Sequence, residues 1–213
     1  FALDLLMDPD IEVVSLVGKA GSGKTLMAIA AGLEQVLSNV KIKSKLKDDS
    51  YCRTPYKKLV VSRPVMPMGK DIGFLPGSLE EKMAPWLAPV QDNLKFLTGD
   101  DQTTLDDYME KGLIEIEALT YIRGRSIANA FIVIDEAQNL TAHEIKTILT
   151  RVGEGTKIVL TGDVEQIDNI YINEMSSGLT HAVEKMKFSD MTGHITLKKG
   201  ERSRVATLAA KIL

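Results

Sequence analysis

Gly18-Lys19-Ala20-Gly21-Ser22-Gly23-Lys24-Thr25 fits the pattern G-x-x-x-x-G-K-S/T, and its setting is as informative as its letters. It lies between the apolar run Val13-Val14-Ser15-Leu16-Val17 and an Ala-rich stretch from Leu26 to Leu37, the strand, loop and helix context that a phosphate-binding loop requires. Glycines let successive backbone N–H groups converge on phosphate oxygens. The helix N-terminus adds the positive end of its dipole, and Lys24 supplies a mobile cation. Residues Gly18 to Thr25 are therefore expected to cradle the phosphates of a nucleotide, with Thr25 also holding Mg²⁺.

Two further strings extend this reading. Phe131-Ile132-Val133-Ile134-Asp135-Glu136 is an apolar run ending in two carboxylates. Such a run reads as a strand buried on both faces, with the acids emerging at the C-terminal edge where open α/β sheets place their ligands. Asp135 is expected to bind Mg²⁺ and Glu136 to orient or deprotonate an attacking water, which makes the site hydrolytic. Helix capping would account for Asp135 alone, but not for two adjacent charges closing a buried strand. Lys157-Ile158-Val159-Leu160-Thr161-Gly162-Asp163 is a second apolar strand with a tight end, followed by Gln166. An amide can donate to a γ-phosphate oxygen and accept from water, so Gln166 is the candidate phosphate sensor.

The chain has 213 residues, enough for one large domain and too few for two, so residues 1–213 are expected to form a single domain. At 44% hydrophobic and 26% charged residues, the composition is that of a globular protein and not of a disordered one. No apolar run is long enough to cross a bilayer, and the first residues lack a signal-peptide layout. One cysteine, Cys52, cannot form an internal disulfide, and three scattered histidines make no metal cluster, which implies a reducing, cytoplasmic setting. The formal charge of −3 means that any nucleic-acid binding must come from a local basic patch. Phe1 is an unusual native start, so the sequence reads as a piece of a longer chain.

Between the motifs, strands alternate with helices, which predicts an α/β domain with a mostly parallel sheet. Lys41 to Lys58 breaks the apolar pattern and reads as a basic insertion, followed by the strand Leu59 to Ser62. Ser78 and Glu81 form a capping box before a helix with apolar positions Leu79, Met83, Leu87, Val90, Leu94 and Leu97, which Pro85 and Pro89 should kink or split. A helix is expected around Thr104 to Glu110 and a strand from Leu113 to Glu117. Thr141 and Glu144 form a second capping box ahead of Ile145, Ile148, Leu149 and Val152. A strand from His194 to Leu197, a charged turn and a helix capped by Ser203 close the chain. Trp86 is expected to anchor packing.

Several strings together resemble the PhoH family of P-loop ATPases: Leu16 to Thr25, Ser62-Arg63-Pro64-Val65, Asp71 to Gly77, Glu81 to Trp86, Tyr121 to Ser126, Asp135 to Thr141, Thr161 to Asp168 and Gly200 to Ser203. The resemblance spans nearly the whole chain and is strongest to the branch in which this ATPase domain follows an N-terminal PIN ribonuclease domain. It implies a three-layer, RecA-like P-loop NTPase fold in which the strand leading to Gln166 lies between those leading to Lys24 and Asp135. It also implies ATP-dependent unwinding or remodelling of RNA, coupled to RNA cleavage in the full-length protein. The adenine-contacting glutamine of related helicases would lie upstream of Phe1. The guanine-reading pattern N/T-K-x-D appears nowhere in the chain.

Arginine is the usual stabiliser of charge on a transferring phosphoryl group, and Arg202 and Arg204, around the expected last helix cap, are the candidates. Arg63, Arg123 and Arg125 are candidates for tracking an RNA backbone. With one phosphate loop and one acidic pair, the chain has a single catalytic lobe, so the arginine must come from the same domain or from another copy; the resemblance to RecA-like motors implies a ring, most simply a hexamer, with the arginine supplied by a neighbouring copy. Two other classes compete. A nucleotide-controlled oligomerisation module could regulate an attached nuclease without translocating. A P-loop phosphotransferase would need an acceptor pocket, and Glu136 directly after Asp135 argues against it.

Overall fold

The apolar runs picked out above become the central strands of one sheet. A computed structural model describes residues 1–46, 56–64, 79–122, 124 and 126–200, and side-chain surroundings for all of these except 41–46, 79–83, 120 and 121. In chain order the elements are α1 (Ala2–Met7), β1 (Val13–Gly18), α2 (Lys24–Leu46), β2 (Lys58–Arg63), α3 (Leu79–Leu97), α4 (Gln102–Glu110), β3 (Ile114–Ala118), α5 (Leu119–Ile122), β4 (Ala130–Ile134), a 3₁₀ turn (Ala137–Asn139), α6 (Ala142–Leu149), β5 (Lys157–Gly162), α7 (Gly178–Met186) and β6 (Thr192–Leu197).

Among the described residues the six strands pair in the order β3-β2-β4-β5-β1-β6, and every pairing is parallel. The strand leading to Gln166 thus lies between those leading to Lys24 and Asp135, as the resemblance implied. Side-chain alternation splits the core into two layers. Val14, Leu16, Leu59, Val61, Phe131, Val133 and Val159 pack on one face with Ala28 and Ile29 of α2, Val90 and Leu94 of α3, and Leu105 of α4. Val60, Ile132, Ile134, Ile158 and Leu160 pack on the other with Ile145 and Ile148 of α6 and Leu179 of α7. The result is a three-layer, RecA-like α/β fold. Full burial on both faces is why these strands read as continuous apolar runs instead of alternating ones.

Thr141 accepts from the Glu144 N–H while the Glu144 carboxylate accepts from the Thr141 N–H, so that capping box forms in full. α3 continues as one helix through Pro85 and Pro89 instead of splitting. The prolines are four residues apart on the exposed side, so the carbonyls that lose their intrahelical donors can bond to water. The basic segment from Lys41 is not all insertion: α2 runs on to Leu46 because nothing after Gly32 in that stretch breaks a helix. Lys58 belongs to β2, where it pairs with Glu115 of β3 at 2.8 Å. Ser78 and Ser203 lie outside the described residues.

Three helices, α1, α5 and α7, had no counterpart in the sequence reading. α7 carries Leu179, Ala182, Val183 and Met186 at helical spacing, a pattern that was available but short. α1 is held to the bottom of the sheet by Lys157, whose buried Nζ donates to the carbonyls of Leu5, Leu6 and Asp8 at 3.1, 3.1 and 2.6 Å. These include carbonyls at the C-terminal end of α1, which have no helical partner of their own. Burial pushes the Lys157 ammonium down to about 8, with Asp8 working against the shift.

Candidate functional site

The strand order brings four strand ends to one edge of the sheet: Gly18 at the end of β1, Gly162 at the end of β5, Asp135 just after β4 and Arg63 at the end of β2. Between them lies a cleft of about 330 Å³ lined in part by Gly21, Lys24, Thr25, Asp135, Glu136 and Gln166. The site therefore sits outside the carboxyl ends of parallel strands, where this architecture places ligands.

The phosphate loop turns through Gly21 and Gly23 at φ of 80° and 79°, a left-handed conformation that side-chain-bearing residues rarely adopt. Those two turns carry the chain into the N-terminus of α2 at Lys24. The Lys24 Nζ donates to the carbonyls of Gly18 and Lys19 at 2.5 and 3.0 Å, so the ammonium is folded over the loop it would use to meet phosphates. The Ala20 N–H donates to Asp163 Oδ2 at 2.7 Å. One backbone donor of the loop thus already serves an anionic oxygen, as a phosphate cradle must.

Thr25 and Asp135, 110 positions apart, meet directly: Thr25 Oγ1 donates to Asp135 Oδ1 at 2.6 Å. Thr161 Oγ1, from the end of β5, donates to the same oxygen at 2.7 Å. A hydroxyl and a carboxylate converging at a cleft beside a phosphate loop are the oxygen donors that Mg²⁺ takes, with the remainder of its shell filled by water and phosphate. The residues present therefore fit that cation.

Glu136 has φ 53° and ψ 37°, left-handed for a residue that is not glycine. Strain of this kind costs about 1–3 kcal/mol and persists where surrounding contacts impose it. Here both carboxylate oxygens are held. Oε1 accepts from Arg63 Nη2 at 3.3 Å and Oε2 from Gln138 Nε2 at 2.6 Å. Arg63 Nη1 also lies 3.9 Å from Asp135 Oδ2. Arg63, expected on an RNA track, is thus placed against the acidic pair, in a side chain only 24% exposed.

Gln166 reaches the same cleft, exposed, with its backbone carbonyl accepting from Gln138 Nε2 at 2.8 Å. Gln138 is fully buried, and Asn93 of α3 reaches the cleft wall. Sequence reasoning assigned neither. Gln138 stood in plain view two residues after Glu136, but nothing along the chain shows that it faces the loop after β5. Arg123, Arg125, Arg202 and Arg204 lie outside the described residues. Trp86 is partly buried on α3. No helix among the described residues is long and apolar enough to cross a membrane.

The chain is 53% identical to Protein PhoH2 of Bacillus subtilis over 214 residues, covering 100% of this chain and 45% of that protein. It is 41% identical to Protein PhoH2 of Mycolicibacterium smegmatis, again covering 100% of this chain and 45% of the relative. The chain spans about half the length of the curated relatives it matches. Among solved structures, the Pif1 helicase from Candida albicans aligns with 95% of this chain and 39% of its own at 15% identity and a TM-score of 0.37. The profile described as PhoH-like protein matches residues 2–213. The chain is a P-loop NTPase domain and belongs to the PhoH-like protein family.

Proposed function

We propose that this chain hydrolyses ATP in the cleft, with Mg²⁺, and that hydrolysis drives the unwinding or remodelling of RNA. The observation that carries the hydrolytic reading is the Thr25–Asp135 contact at 2.6 Å beside a restrained Glu136. It supports one centre in which the loop from Gly18 to Thr25 binds phosphates and Glu136 receives a proton from water. Bound Mg²⁺, held by Thr25 and Asp135, would neutralise charge building on the β- and γ-phosphate oxygens. Lys24 would exchange its contacts with the loop carbonyls for phosphate, and Gln166 would meet the γ-phosphate from the opposite wall. Purified protein should release phosphate from ATP, faster with RNA than with DNA or small phosphoryl acceptors. RNA-independent transfer to a small acceptor would overturn the reading.

RNA binding is assigned to Arg123 and Arg125, with Arg63 shared between RNA and the acidic pair, and the family likeness supports coupling to a PIN-type nuclease in the longer protein. Ring assembly, most simply as a hexamer, belongs to the same proposal, with Arg202 of one copy, and Arg204 second, serving the nucleotide held by its neighbour.

A further inference from the structure

We propose that Gln138 is a positioning residue that makes Glu136 and the loop after β5 move as one unit, so that a change at the γ-phosphate sensor is felt at the catalytic carboxylate. The inference rests on the hydrolytic reading above for the role of Glu136, while the linkage itself rests only on geometry.

Three facts carry it. Gln138 is wholly buried, and its amide uses both donors and an acceptor within the site. Nε2 donates to Glu136 Oε2 at 2.6 Å and to the Gln166 carbonyl at 2.8 Å, while Oε1 accepts from the Asp163 N–H at 3.2 Å. The amide orientation follows from its partners: two acceptors face the nitrogen and a donor faces the oxygen, so a flipped amide would oppose like with like at all three. Second, it packs closely against the end of β5. A Cβ on Gly162 would lie 2.6 Å from Gln138 Oε1 and 2.5 Å from Leu179 Cδ2, so the glycine that ends β5 is what lets the amide approach.

Third, the linkage continues outward on both sides. The Asp163 carboxylate accepts from the Ala20 N–H of the phosphate loop at 2.7 Å and from the Glu165 N–H at 3.1 Å. The neighbouring Asn139 Oδ1 accepts from the Asp168 and Asn169 N–H groups at 2.8 and 3.3 Å, and Ser177 Oγ donates to the Gln138 carbonyl at 3.0 Å. The stretch from Asp163 to Ser177 is thus tied to the turn that carries Glu136 by side-chain bonds given from both sides, and Gln138 is the member that touches both the carboxylate and the Gln166 backbone. A shift of Gln166 on meeting or losing a phosphate must be shared with Glu136 or break one of the two bonds that Gln138 Nε2 makes.

The test uses Gln138→Met in the full chain, which keeps the side-chain volume and removes all three bonds. Turnover should fall on the order of 10²-fold, the cost of misplacing a catalytic group by about 1 Å, while KM for ATP holds. Combined with Glu136→Gln, the second substitution should add little, because the first has already removed the group on which Gln138 acts. A loss that multiplies independently, a turnover equal to wild type, or a rise in KM with kcat kept would each overturn the proposal. If Gln138→Met unfolds, or if the wild-type chain does not turn over ATP and the hydrolytic reading itself fails, hydrogen exchange in Glu136→Ala decides the linkage. Amides from Asp163 to Asn169 should exchange about tenfold faster, as expected when a local restraint worth about 1.4 kcal/mol is lost, while those of β1 stay unchanged. Unchanged exchange in the loop, or a uniform rise across the chain, overturns it.

Discussion

Replacing Glu136 by glutamine should separate nucleotide binding from hydrolysis, and the structure sets the size of each effect. In the wild type one carboxylate oxygen faces Gln138 Nε2 at 2.6 Å and the other faces Arg63 Nη2 at 3.3 Å. A glutamine can give its carbonyl oxygen to one of these donors but must turn its NH₂ toward the other. One hydrogen bond is therefore lost, at about 1 kcal/mol. The position is 33% exposed, so water can serve the abandoned donor, and the melting temperature should drop by no more than about 2–4 °C in a domain of this size. Turnover responds far more strongly. Loss of a positioned general base removes on the order of 10²-fold or more, which adds about 2.7 kcal/mol to the barrier. Nucleotide affinity should hold, because on the proposed reading the phosphate contacts would come from residues Gly18 to Thr25. Lys24→Ala gives the reverse pattern: it deletes charge-assisted contacts worth about 1.5–3 kcal/mol, so affinity should weaken roughly 10- to 10²-fold. Phosphate release with saturating ATP, paired with equilibrium binding of a non-hydrolysable analogue, reads both quantities. Wild-type turnover in Glu136→Gln, or loss of analogue binding in that variant, would refute the assignment.

Three more outcomes are expected. Arg123→Ala with Arg125→Ala should weaken RNA binding and flatten its salt dependence by about 0.7 in log–log slope per lost phosphate contact; unchanged affinity and slope in a titration would place the RNA elsewhere. Mixing Glu136→Gln with Arg202→Ala subunits, in a preparation that exchanges them, should restore ATPase activity, since an intact site forms where a copy with Glu136 meets a neighbour with Arg202; no recovery across a range of ratios would leave Arg202 acting on its own copy or not at all. Lys157 gives a pH signature: its folded value is about 8 against an ordinary 10.5. Between those values the unfolded chain still holds the proton that the folded chain has released, so stability rises with pH across that window and is indifferent to this group below it. Relative to Lys157→Met, the wild type should gain roughly 2–3 kcal/mol on approaching the upper end of the window, measured by urea unfolding at about pH 7 and pH 10. Parallel curves for the two proteins would refute the account.

The sequence by itself determined the class of fold and the chemistry of two walls of the cleft. Uninterrupted apolar strands such as Phe131 to Ile134 can be buried on both faces only in a sheet covered by helices on each side, and Gly21, Gly23, Lys24 and Thr25 must be contiguous to shape a phosphate loop, so both signals lie along the chain. The full capping box at Thr141 was legible for the same reason, being a contact between residues three apart. What tertiary structure alone decided are contacts across strands. Arg63 looks like a surface arginine after a strand until β2 is seen to lie beside β4, which turns it onto Asp135 and Glu136. Lys157 reads as the exposed start of a strand until α1 is seen to close over it and offer three carbonyls. Gln138 looks like one polar residue in a short turn, and only the adjacency of β4 and β5, with a glycine at 162 leaving room for the amide, makes it the joint between the acidic pair and the loop that carries Gln166. In each case the sequence supplies the functional group, while its partner is set by strand order, which depends on how buried faces pack and not on any local pattern.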